Sequence, residues 1–297
     1  MFRNVRFLRL NGDWPESEEA VSERLAKSGF RPCGPLTERS SGWVPIDADR
    51  SESLARRVNA ADLIKLRSQS RVLPPAAINE ELENRIEEYR ARMNENPPPR
   101  EKRRLKAETR DELLPKAMLK SDRILGYVDL KEKLLAIDAA QNATAERFLL
   151  HLRAPFDQVK FLPWGFNRPF GELLNKIFFG SAPGQFSLGR ECRMQDPSDA
   201  RAIVRCTDFD LTDSTIRQHV ATGMRLTHLG IVYDNLLSFV LDEDGVLRKV
   251  KLLGADDDEA DGQGDPLTRL DAEFVLMTGT LRHLVADMNK LLGGYPS

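Results

Sequence analysis

Cysteine is scarce in this 297-residue chain, and long apolar runs are missing. Cys33, Cys192 and Cys206 show no CxxC pair and no regular spacing, so neither a disulfide scaffold nor a zinc site is expected. Reduced thiols of a cytoplasmic protein are the expectation. No apolar run approaches the ~20 residues of a membrane span. The N-terminal segment lacks the apolar core and cleavage site of a signal peptide. The four histidines, His151, His219, His228 and His283, form no HExxH set. There is no GxxxxGK[ST] loop and no GxSxG elbow. Gly262-Gln263-Gly264 is too short for a dinucleotide fingerprint, and its acidic neighbours repel phosphate. No catalytic residue, metal or cofactor is expected, and the chain does not read as an enzyme.

Charge is what the sequence has in abundance: 30% of residues are charged, with a net of only −2. That balance hides an uneven distribution. Asp256, Asp257, Asp258, Glu259, Asp261 and Asp265 fall within ten residues, and without these six the net is +4. They lie in an expected loop, 254–266, that lacks the spacing of a calcium site. The opposite pole is Arg100–Arg123, where nine basic residues face five acidic ones. The basic set is Arg100, Lys102, Arg103, Arg104, Lys106, Arg110, Lys116, Lys120 and Arg123. Pro97-Pro98-Pro99 opens this segment and Pro115 ends or kinks its helix. Arg103, Lys106 and Arg110, spaced three and four apart, share a helical face. Few apolar residues anchor that helix, so its cations are available to phosphates without reading bases. No recognition-helix motif or aromatic stacking pattern accompanies them.

The remaining periodicities predict an α+β fold of two or three subdomains with a projecting helical arm. Phe2–Leu10 alternates as a strand, and Pro15 begins a helix carrying Val21 and Leu25. Strands are expected at Gly42–Pro45 and Asp62–Leu73. Residues 1–73 then form an N-terminal α+β part. Residues 74–123 form the arm, whose first helix carries Ile78, Leu82, Ile86, Tyr89 and Met93 on one thin stripe. Residues 124–297 form the C-terminal α+β part. It opens with a hairpin, Ile124–Val128 with Leu134–Ile137, continues through alternating helices and strands, and ends on a long helix from Thr268 to Leu292.

Several short stretches resemble the RdgC family of bacterial recombination-associated proteins. They are Gly42-Trp43-Val44-Pro45, Val72-Leu73-Pro74 with Ile78, and Leu113-Leu114-Pro115-Lys116-Ala117. Gly180-Ser181-Ala182, Asp210-Leu211-Thr212 and the run Asp271–Leu281 follow in order. The resemblance implies a ring-shaped homodimer that passes duplex DNA through a positively lined hole, without sequence preference. It implies association with the nucleoid and restraint of RecA-driven recombination, without catalysis or a cofactor. Lys116 and Met118 fall where the family closes its ring, with Met118 in place of an aromatic residue. Asp208 and Phe209 fall on the facing side of that gate. An alternative expectation is a protein-interaction module that docks a recombination partner through the helical arm. A hydrolase or nuclease is the third.

Overall fold

The computed structural model describes residues 1–49, 51–254 and 265–296. One mixed-length antiparallel sheet of twelve strands runs through them, flanked by helices, which makes the fold α+β. The N-terminal half comprises β1 (Asn4–Asn11), α1 (Glu18–Ala26), β2 (Arg39–Val44), β3 (Ala55–Val58) and β4 (Ala61–Val72). Two helices follow, α2 (Pro75–Met93) and α3 (Pro99–Leu113), then a 3-10 turn over Leu114–Lys116. The chain returns through β5 (Met118–Asp129), β6 (Leu134–Ile137), α4 (Asn142–Arg153), β7 (Lys160–Pro163) and α5 (Phe170–Phe178). It ends with β8 (Phe186–Gln195), β9 (Ile203–Cys206), α6 (Ser214–Ala221), β10 (Arg225–Tyr233), β11 (Leu237–Asp242), β12 (Leu247–Leu252) and α7 (Pro266–Leu291).

The strand order is β2-β4-β5-β6-β1-β12-β11-β10-β8-β9, with β3 paired to β4 and β7 to β1. β1 joins the two halves of the sheet: Asn4 and Val5 pair with β12, while Arg6–Arg9 pair with β6. Alternate side chains leave a strand on opposite faces, and the middle of the sheet is covered on both. Leu63 and Tyr127 enter a core shared with α5 and α7 through Leu173, Ile177, Phe274 and Leu281. Their neighbours Ile64 and Val128 enter a second core with Val21 and Leu25 of α1 and Phe148 and Leu152 of α4. Gly126 is required here, because a Cβ would lie 2.4 Å from Cζ of Phe148. Gly42 is required likewise, with a Cβ 2.5 Å from the Phe30 backbone, beside the fully buried Trp43.

The expected hairpin forms, with Asp129 opposite Leu134. Oδ1 of Asp129 accepts from the Lys131 and Glu132 amides, and Oδ2 accepts from Arg282 Nε at 2.7 Å. That buried ion pair fastens α7 to the hairpin. β5 starts six residues earlier than expected and pairs with β4 from Val72↔Met118 to Ala61↔Asp129. The arm is thus a helical pair inserted at the end of a long two-stranded ribbon, and residues 118–123 belong to the ribbon. β3 and β7 are additional short strands, paired with β4 and β1.

Pro75 and Pro99 each occupy the first turn of their helix, where the missing amide costs nothing. Asn94 ends α2 in the left-handed region at φ 55°. The chain reverses over the few residues between Met93 and Pro99, and the ion pair of Arg85 with Glu112 links the two helices. Of the α2 stripe only Leu82 and Ile86 are buried, and in α3 only Thr109 is, so the pair packs mainly on itself.

Candidate nucleic-acid interface

Six of the nine expected cations stand on α3: Arg100, Lys102, Arg103, Arg104, Lys106 and Arg110, all exposed. Two of them are tied. Arg104 bridges Glu101 at 2.9 Å and Glu108 at 3.3 Å, and Arg110 reaches Glu38 at 2.6 Å. Among the described residues, Arg100, Lys102, Arg103 and Lys106 make no ion pair. Lys116 lies in the 3-10 turn, exposed and also without an ion pair among the described residues. Arg103, Lys106 and Arg110 do share one face, and it borders a groove of about 580 Å³ against the start of α2 and the end of β4.

Lys120 and Arg123 are strand residues, and an odd separation puts them on opposite faces of the β4–β5 ribbon. Lys120 shares its face with Met118 and with Asp122, 3.7 Å from its Nζ. Arg123 shares the other face with Arg67, its direct partner across the ribbon, and with Lys65 two positions along β4. The nine cations therefore do not make one continuous helical surface. Arg67 places its guanidinium 4.7 Å from the centre of the Phe30 ring and donates to Ser121 Oγ at 3.3 Å. Lys65 donates to the Ile46 carbonyl, and burial, then the nearby Arg123 charge, push its pKa below the usual lysine range. Lys65 and Arg67 escaped the sequence reading. Their signal is their alternation along a strand, which acquires meaning only once β5 lies alongside.

The two halves of the expected gate lie far apart. Met118 is 81% exposed at the start of β5, and Phe209 is 46% exposed just past β9. Seven strand spacings separate β5 from β9 in the sheet order, roughly 34 Å at ~4.8 Å each. Asp208 holds a left-handed backbone at φ 52°, and its carboxylate accepts from Arg190 Nε at 2.7 Å. The Phe209 amide donates to the Arg190 carbonyl at 3.0 Å, which fixes the turn that presents its ring.

Three further titratable groups lie in structural settings. Asp62, fully buried, accepts from Trp14 Nε1 at 2.7 Å and from Arg57. Cys192 faces Cys206 across β8 and β9, and burial pushes its thiol up to about 12. Burial also lowers the pKa of His228. Among the described residues, no group of three or more histidine, cysteine or carboxylate side chains is placed to hold a metal ion. No helix among them is long and apolar enough to cross a membrane. Of the expected acidic loop, residues 255–264 lie outside the described residues, and Asp265 caps α7 by accepting from the Thr268 amide at 3.3 Å.

The family described as "Putative exonuclease, RdgC" matches residues 1–295. A relative in Laribacter hongkongensis is 33% identical over 297 residues, covering 99% of this chain and 98% of its own. One in Stenotrophomonas maltophilia is 31% identical over 288 residues, 95% of either chain. One in Sodalis glossinidius is 29% identical over 297 residues, covering 99% of this chain and 97% of its own. All three bear the name "Recombination-associated protein RdgC". With one family spanning nearly every residue and relatives matching end to end, the chain belongs to the RdgC family.

Proposed function

We propose that this protein is a homodimeric ring that holds double-stranded DNA without sequence preference and restrains RecA-dependent recombination, without cutting the DNA. It acts in the cytoplasm, on the nucleoid. The observation that carries this reading is the set of exposed cations without ion pairs among the described residues: Arg100, Lys102, Arg103, Lys106 and Lys116 at the arm, and Arg123 on the ribbon. Lysines and arginines so placed lose little by meeting phosphates and release counterions when they do. The relatives' name supports the recombination role. The separation of Met118 from Phe209 supports closure between two copies, since a twofold axis supplies the contact twice.

In this ring each arm meets the far end of its twin, Met118 against Phe209, with Lys116 beside them and Asp208 on the receiving side. Topological enclosure makes modest phosphate contacts sufficient, because release then requires opening or sliding off an end. The test is a mobility shift of linear against closed-circular duplex across salt, with the oligomer's mass measured in parallel. The expected result is a dimer whose log affinity falls linearly with log salt, by about 0.9 per phosphate neutralised. Closed circles should stay bound at salt that strips linear DNA. A monomer, or a flat salt response, would overturn the reading.

The family's description favours a second reading, an exonuclease. End-labelled linear duplex incubated with the protein and Mg²⁺ separates the two. Progressive loss of terminal nucleotides supports the nuclease; intact DNA supports enclosure alone.

A further inference from the structure

The groove beside α3 has two kinds of wall. Its floor is apolar, made by Leu73, Ile78 and the buried Leu114, with the exposed Ala107 at its α3 edge. Its rim is cationic, with Arg103 and Lys106 free of ion pairs among the described residues. Four cations line it against two acids, Glu38 and Asp111, and Glu38 is already neutralised by Arg110 at 2.6 Å. Arg71 lines the groove as well. Its guanidinium donates to the carbonyls of Leu114, Pro115 and Ala117 and of Gly34, which fixes the 3-10 turn against β4.

Phosphate has no use for the floor. A duplex is too wide for about 580 Å³, and a phosphate lowered onto leucine and isoleucine would lose water without gaining donors. The volume lies in the range of ligand pockets, and the pairing of an apolar trough with a positive rim is complementary to a chain that alternates those characters. We propose that this groove docks a short acidic peptide segment of a partner protein, with one or two apolar side chains on the floor and carboxylates at Arg103 and Lys106. The inference goes beyond DNA binding and does not depend on it.

The experiment uses a fluorescein-labelled peptide of three aspartates followed by leucine, proline and phenylalanine, read by anisotropy against the full chain. Two charge-neutral variants probe the floor: Ile78→Asn makes it polar, and Ala107→Trp fills it from an exposed position of α3. Thermal melts check that each is folded, and a mobility shift of short duplex is run on the same samples. The expected result is saturable binding, weakened about tenfold by either folded variant. The same loss should follow when the peptide's leucine and phenylalanine become serine. Duplex affinity should stay within about twofold of the unsubstituted chain. Absence of saturable binding overturns the inference. So does equal binding of the serine peptide, which would reduce the site to bare charge. If both variants lose duplex and peptide by the same factor, the groove is part of the DNA face and the peptide site is refuted. If the peptide binds as expected while no duplex shifts, the docking site stands and the DNA reading falls.

Discussion

Arg67 and Arg123 stand directly opposite one another on β4 and β5, with no acidic partner for either among the described residues. Like charges at directly paired strand positions destabilise a sheet, by up to about 1 kcal/mol. The stacking of Arg67 on Phe30 offsets part of this without removing the repulsion. Arg123→Ser should therefore raise the unfolding free energy at low salt by about 0.5 kcal/mol. The gain should fade in high salt, where the Debye length shrinks to ~3 Å. The same substitution should weaken binding of duplex DNA. Denaturant unfolding at two salt concentrations, beside a binding titration, checks both halves. A loss of stability at low salt would show that the guanidinium makes a structural contact instead.

Arg110 is the cation of the α3 face that is held back, since Glu38 binds it at 2.6 Å. Exposed pairs of this kind contribute little to stability. Glu38→Gln should leave the melting temperature nearly unchanged while freeing Arg110 for a phosphate. The slope of log affinity against log salt should then steepen by about 0.9. An unaltered slope would place Arg110 outside the contact with DNA.

How legible this was in the sequence depended on the distance over which each feature is determined. The hairpin of β5 and β6 could be read directly, because Ile124–Val128 and Leu134–Ile137 are apolar runs joined by a short polar turn. The thin stripe of α2 was legible for the same reason, and Met93 at its end is indeed 51% exposed. The four-residue β7 ends in Pro163 and is defined only by the β1 residues it pairs with. Basic density marked Lys120 and Arg123, but the expected arm, 74–123, grouped them with the cations of α3. Read as strand residues three apart, they diverge. Lys65 and Arg67 joined the candidate interface only through the β4–β5 register, a relationship between segments more than fifty residues apart.

His228 gives the fold a pH dependence whose sign follows from its surroundings. Burial lowers its pKa, Asp242 opposes this, and the Arg193 and Arg248 charges add to it. The imidazole is therefore neutral in the folded state under conditions where the unfolded chain, titrating near 6.5, already takes up a proton. The unfolded state binds more protons, so stability falls as pH drops below about 6.5 and levels off beneath the lower folded value. His228→Gln should lose less melting temperature than the unsubstituted protein between about pH 7 and pH 5. Parallel melting curves in acid that never converge or cross toward one another would show that His228 does not titrate differently on folding.

Met118 carries the last prediction. At 81% exposure it contributes almost nothing to the stability of the single subunit, so substitutions there should leave the melting temperature of an isolated monomer alone. In the proposed ring it is buried against Phe209 of the second copy, a transfer worth about 1.5–3 kcal/mol at each of two symmetric contacts. Met118→Asp should therefore shift the dimer toward monomer and make closed-circular DNA as easy to strip with salt as linear DNA. Met118→Phe should act in the opposite sense, since an aromatic pair adds about 0.5–1.5 kcal/mol beyond burial. Dissociation rates from closed circles, measured after a salt jump, should rank aspartate fastest, methionine between, and phenylalanine slowest. Identical rates for all three would mean that this end of β5 does not close anything, and that retention of DNA rests on phosphate contacts alone.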